Sequence, residues 1–120
     1  MKLDLIDTGG AYIAEVTSEK IEINNAQEAV DIMANCGYQG AEGIIIHEIN
    51  ITPHFFDLKT GIAGEVLQKF STYNMKLAIV GNFAKYPGNS LREFIFESNK
   101  TGRINFVNSL TQAKEVLAKK

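Results

Sequence analysis

The sequence predicts an α/β fold in one domain spanning residues 1–120: an N-terminal β-hairpin, then β-α repeats forming a mixed, mostly parallel sheet with about four helices. Three observations carry that reading. The first seventeen residues hold two apolar-alternating runs around a turn; from residue 43 onward short apolar runs alternate with amphipathic segments; and 45% of 120 residues are apolar, enough for one core and too few for two.

In order, Lys2 to Asp7 reads as a strand, Asp7-Thr8-Gly9-Gly10 supplies turn chemistry, and Ala11 to Thr17 returns as the second strand. Lys20 to Ile23 is expected to add a short third strand. Asn24 or Asn25 then caps a helix whose apolar positions are Ala26, Ala29, Val30 and Met33, with Gly37 placed to end it. Gly43 to Glu48 is apolar on both faces until His47, the pattern of a buried parallel strand. After a loop over 50–61, Ile62, Ala63, Val66, Leu67 and Phe70 line one face of the clearest helix, with Thr60 as its N-cap. Met75 to Val80 is the next buried strand, closed by Gly81, and Pro87-Gly88 punctuates the loop that follows. Ser90 is positioned to cap a helix through Leu91, Phe94, Ile95 and Ser98. Arg103 to Val107 reads as the last strand, and Ser109-Leu110-Thr111-Gln112 has the capping-box form before a final helix through Ala113, Val116 and Leu117.

Composition narrows the function classes. Twelve Lys and Arg against fourteen Asp and Glu leave a net charge of −2 with no basic block, which speaks against nucleic acid and anionic membrane as partners. The longest purely apolar run, Ile44 to Ile46, is far shorter than the roughly 20 residues of a spanning helix. The N-terminal residues lack the apolar stretch of a signal peptide, and the single cysteine, Cys36, has no internal disulfide partner. A reducing, cytoplasmic location is therefore expected.

The strand-loop-helix junction at Asp57-Leu58-Lys59-Thr60-Gly61-Ile62, within this element order, resembles the STAS domain of anti-sigma factor antagonists. Those domains carry Asp-Ser-Ser/Thr-Gly-Leu here, and the first hydroxyl residue is the one phosphorylated. Thr60 and Gly61 match, whereas Lys59 occupies the phosphorylatable position, so a switch would have to use Thr60. A second resemblance covers nearly the whole chain. The blocks Phe55 to Glu65, Leu77 to Gly81 and Ser90 to Ile95 look like those shared by a family of small uncharacterised bacterial proteins, which implies the unit without implying an activity.

Ligands of open parallel sheets sit beyond the carboxyl ends of the strands. That rule gathers His47, Glu48, His54, Asp57, Thr60 and Gly61 from one junction, and Asn82, Lys85, Ser90 and Arg92 from the next. His47 and Glu48 are adjacent on a strand and point to opposite faces, and no further ligand set accompanies them, so no metal and no cofactor are expected. Asp57, Thr60, Gly61 and Gly64 have the composition of an anion pocket, but capping of the helix by Asp57 or Thr60 explains them more simply. Cys36 is expected to behave as a small buried hydrophobe. Adjacent Phe55 and Phe56 leave two readings open: one ring exposed near Leu58, as in a protein contact, or both anchoring the loop. No complete catalytic constellation is present. The leading expectation is a non-enzymatic module with a protein partner, using the surface around Pro53 to Gly64 and the facing loop from Asn82 to Arg92. Its rivals are a small-molecule-binding protein or enzyme built on His47, Glu48, His54 and Asp57, and a homodimer paired through the hairpin edge.

Overall fold

The computed structural model describes residues 1–118. Five strands form one sheet in the order β1 (Lys2–Asp7), β2 (Tyr12–Thr17), β3 (Ala41–His47), β4 (Lys76–Val80) and β5 (Ile104–Val107). β1 and β2 are antiparallel; β2, β3, β4 and β5 pair in parallel. Each parallel pair is bridged by a helix: α1 (Ala26–Tyr38), α2 (Ile62–Thr72) and α3 (Asn89–Thr101), with α4 (Leu110–Ala118) following β5. The expected hairpin, mostly parallel sheet and four helices are all present.

Period-2 and period-3.6 patterns explain how the layers meet. On one face Val16, Ile44, Ile46, Leu77, Ile79 and Phe106 take Ala29 and Met33 of α1, Val66 and Phe70 of α2 and Leu91 of α3. On the other, Ile13, Ile45, Ala78 and Val107 are covered by α4 alone, through Ala113 and Leu117. Ile44, Ile45 and Ile46 are at most 1% exposed. Burying each contributes about 1.5–3 kcal/mol, so β3 is the spine of both cores. α4 packs directly over Gly43, where a Cβ would lie in ordinary contact, 3.4 Å from Leu117 Cδ1.

Local rules account for most helix ends. Asn25 caps α1, its side chain accepting from the Glu28 N–H at 2.9 Å. Ser109 Oγ accepts from the Gln112 N–H at 3.1 Å, while the Gln112 side chain reaches back to Asn108 N at 2.9 Å, one residue beyond the usual capping box.

Four expectations need correction. Lys20 to Ile23 is not a strand: only Ile23 makes a bridge, to Ile51, because Asn50 takes over the pairing. Its side-chain Nδ2 donates to the Ser18 and Lys20 carbonyls at 2.8 Å each, and its own carbonyl accepts from the Glu22 and Ile23 N–H groups. Gly37 does not end α1 but lies inside it, 3.4 Å from Met75 at the position a Cβ would occupy. Gly40, at φ +97°, makes the reversal. Ser90 lies within α3 and Gly88 precedes that helix as its cap residue, with no side-chain bond. The 50–61 stretch is not an open loop: short 3-10 turns at Glu48–Asn50, Pro53–Phe56 and Leu58–Thr60 wind it tightly.

Because Leu117 and Ala113 are the buried residues of α4, with Leu110 and Val116 only partly buried beside them, Leu117→Ala is expected to destabilise the chain by about 2–5 kcal/mol in urea unfolding, with amide exchange rising first in residues 110–118.

Candidate functional site

The carboxyl ends of β3 and β4 open onto two loops, 48–61 and 81–88, and the site is built where they meet. His47, the last residue of β3, stays on the α4 face, where its Nε2 lies 3.3 Å from Glu15 Oε2. Glu48 begins the first 3-10 turn and swings to the other loop. The residue is 9% exposed, and its carboxylate takes three donors: the Tyr86 hydroxyl, the Lys85 ammonium at 2.8 Å and the Asn82 backbone N–H at 3.2 Å. The sequence singles out Glu48, Asn82 and Lys85 and holds Tyr86 only as part of the facing loop from Asn82 to Arg92, since the order of residues carries no signal that links positions 48 and 86.

Glycine is required for this arrangement. A Cβ at Gly81 would sit 2.5 Å from Glu48 Oε1 and 2.7 Å from Glu48 Cβ, so the carboxylate folds across the backbone just past β4. Burial pushes the Glu48 carboxyl up, but the hydrogen bonds from Lys85, Tyr86 and Asn82 and the Lys85 charge outweigh it and hold it below its ordinary value. Burial and the same carboxylate push the Tyr86 phenol well above its ordinary range.

Aromatic rings continue the joint. Tyr86 stacks on Phe56 with centroids 4.6 Å apart, Phe56 meets Phe55 edge-on at 5.0 Å, and Phe83 meets Phe106 at 5.1 Å. Phe55 and Phe56 are 0% and 6% exposed, so of the two readings both rings anchor the loop and neither is exposed. The 3-10 turn directs both inward, one to the sheet and the other to Tyr86. Lys85 lies 5.4 Å from the Tyr86 ring centre, within reach of a cation–π contact.

The other candidates form a second cluster, on the outer turn. Asp57 caps the third 3-10 turn by accepting from the Lys59 N–H at 3.2 Å. The Thr60 hydroxyl lies 2.7 Å from the His54 carbonyl and 2.9 Å from the Asp57 carbonyl, and accepts from the Ile62 N–H at 3.3 Å. Gly61 is the cap residue of α2, in a left-handed conformation at φ +79° that favours glycine. The His54 and Asp57 side chains remain on the surface. Pro53, Phe56 and Asp57 face Tyr86 and Pro87 across a cleft of about 280 Å³. Arg92 lies on the far side of Tyr86, in a smaller cleft of about 190 Å³ with Phe83, Leu91 and Ile95. Both fall below the roughly 300–1,000 Å³ typical of small-molecule sites. A depression of about 360 Å³ lies at the opposite, amino-terminal ends of the strands, lined by Glu42, Asn74, Lys76 and Arg103, and holds none of the candidates.

Among the described residues no group of three His, Cys, Asp or Glu side chains is arranged to hold a metal ion, and no helix is long and apolar enough to cross a membrane. Cys36 is fully buried and its thiol is pushed up to about 11 by burial, the state of a core side chain.

The Glu48 contacts give a pH signature. A carboxyl that titrates below its ordinary 4.5 when folded contributes stability that is complete above that value and is lost as pH falls through the lower, folded pKa. Tyr86, raised above 10.0, contributes stability present below that value and lost as pH rises through its folded pKa. Tyr86→Phe is expected to cost about 1.5–3 kcal/mol at neutral pH. Glu48→Gln is expected to flatten the acid limb of stability that sets in as pH falls below the ordinary carboxyl value of 4.5. Urea midpoints measured at neutral pH for Tyr86→Phe, and from neutral down through acid pH for Glu48→Gln, check the two expectations, and a wild-type acid limb that persists unchanged in Glu48→Gln counts against the assignment.

No curated protein and no solved structure matches the chain. One family model does, over residues 8–117, a span that takes in the hairpin turn, both site loops and the start of α4 through Leu117. The chain therefore belongs to the family described as domain of unknown function (DUF4180).

Proposed function

We propose that this chain is a non-enzymatic, cytoplasmic interaction or regulatory module of STAS-like design. Its contact surface is formed by Pro53 to Gly64 and the facing Asn82 to Arg92 loop, and its partner is a protein. The observation that carries this reading is where the polar groups of the junction are spent. Glu48 is held by Tyr86, Lys85 and Asn82, and the Thr60 hydroxyl and one Asp57 carboxylate oxygen bond to backbone within their own turn. Such bonding gives the two loops a set shape, and the Tyr86 hydroxyl that meets the Glu48 carboxylate is held protonated by burial and that charge, the opposite of an activated nucleophile. The exposed His54, Asp57, Lys59 and Lys85 then form a mixed-charge rim beside the Phe56–Tyr86 stack, the kind of surface that selects a protein by shape and a few charges.

A Thr60 switch is consistent with the same geometry. Phosphorylation would remove the hydroxyl from the His54 and Asp57 carbonyls and place negative charge near Asp57, loosening the outer turn while favouring the start of α2.

Two measurements test the reading together. Full-length wild-type bait is expected to retain a protein from its native cell extract that His54→Ala with Lys59→Glu bait does not, while a thermal-shift screen of metabolites gives no stabilisation. A metabolite that raises the melting temperature of the wild type but not of His54→Ala or Asp57→Ala would replace this reading with small-molecule binding.

A further inference from the structure

The sheet ends in two edges, β1 and β5, and the chain treats them differently. Along β5, Asn99 of α3 takes the place of a further strand: its Oδ1 accepts the Phe106 N–H at 2.7 Å and its Nδ2 donates to the Phe106 carbonyl at 3.2 Å. Those are groups an incoming strand would need, so this edge is closed. β1 carries no such cover among the described residues, and neither proline nor bulge interrupts it.

The ladder shows which β1 groups are available. Thr8 donates its N–H to the Ala11 carbonyl at 3.0 Å, which marks Thr8 and Ala11 as a hydrogen-bonded pair. Alternation along the register from Asp7↔Tyr12 to Lys2↔Thr17 then turns the peptide groups of Lys2, Asp4 and Ile6 toward β2 and those of Leu3, Leu5 and Asp7 outward.

We propose that β1 is a homodimerisation strand: two copies of this chain pair β1 against β1, antiparallel about a twofold axis at Leu3, and join their sheets edge to edge. Side-chain chemistry selects both the partner and the register. In such a pair opposed residues share a face and are related by the axis. Centred on Leu3, Lys2 faces Asp4 of the second copy and Asp4 faces its Lys2, at non-hydrogen-bonded positions where side chains are closest. Lys2 Nζ and Asp4 Oδ1 already lie 3.8 Å apart within one chain, so the four charges alternate in sign around the axis. On the opposite face Leu3 meets Leu3, and Leu5 meets Met1. Leu5 and Met1 are 44% and 53% exposed, an apolar area that this pairing covers. Centring on Asp4 would oppose two aspartates, and centring on Leu5 would oppose Leu3 with Asp7 and Asp4 with Ile6. The strand is therefore complementary to itself in one register, which favours a second copy over an unrelated peptide.

Sedimentation of the full chain between about 1 and about 100 µM tests this. The wild type is expected to show a concentration-dependent monomer–dimer equilibrium. Asp4→Lys makes both cross-strand pairs like-charged and is expected to weaken association roughly tenfold or more, and Lys2→Asp combined with Asp4→Lys to restore it to within about twofold. Both side chains are exposed, and circular dichroism confirms that the variants remain folded. A wild type that stays monomeric throughout, an Asp4→Lys variant that associates as tightly as the wild type, or a double variant that regains nothing overturns the proposal.

Discussion

A carboxylate set into the crevice between two parallel strands must be paired, because an unpaired buried charge costs more than a fold of this size can carry. Glu48 meets that demand with Tyr86, Lys85 and the Asn82 N–H, and the geometry of the carboxyl end of the sheet follows from it. Gly81 must lack a side chain so that the carboxylate can cross it. The 81–88 loop must close toward β3, which brings Tyr86 onto Phe56, and that stack places the 3-10 turns of the other loop. Asn50, 1% exposed, secures the same segment from the other side by bonding the chain that leaves β2.

The two layers on either side of the sheet are unequal, and the inequality shapes the surface. Three helices cover one face, while α4 covers only part of the other, near β3 to β5. The hairpin therefore projects with exposed and half-buried residues on β1, while the His47–Glu15 contact joins β3 to β2 on the α4 side of the sheet. At β5 a single asparagine substitutes for a missing strand through its amide group, which can donate and accept at once. The carboxyl-end loops and the hairpin edge are thus separate surfaces.

Much of the architecture was legible because it rests on local periodicity. Ile44 to Ile46 announces a strand buried on both faces, the spacing of Val66 and Phe70 a helix with one apolar side, and Ser109 with Gln112 a helix start. Where the reading failed, a longer-range contact had overridden a local rule. Gly37 has the residue type of a helix stop but lies inside α1, the reversal being made at Gly40, and Ile23 leaves the strand pattern because Asn50 claims its neighbours. Phe55 and Phe56 look divided between core and solvent until a 3-10 turn directs both inward.

The sequence by itself determined the hairpin, the order of strands and helices, and the concentration of His54, Asp57, Thr60, Asn82 and Lys85 at one end of the sheet, since these depend on neighbours a few residues apart. Only the tertiary structure decided that α4 lies alone on its face, that Asn99 closes β5, and that Tyr86 completes the coordination of Glu48 across 38 positions of chain. Hydrophobic periodicity specifies which side of an element is buried. It does not specify which distant polar group will arrive to satisfy a buried charge, because that is decided by distance in space and not by order along the chain.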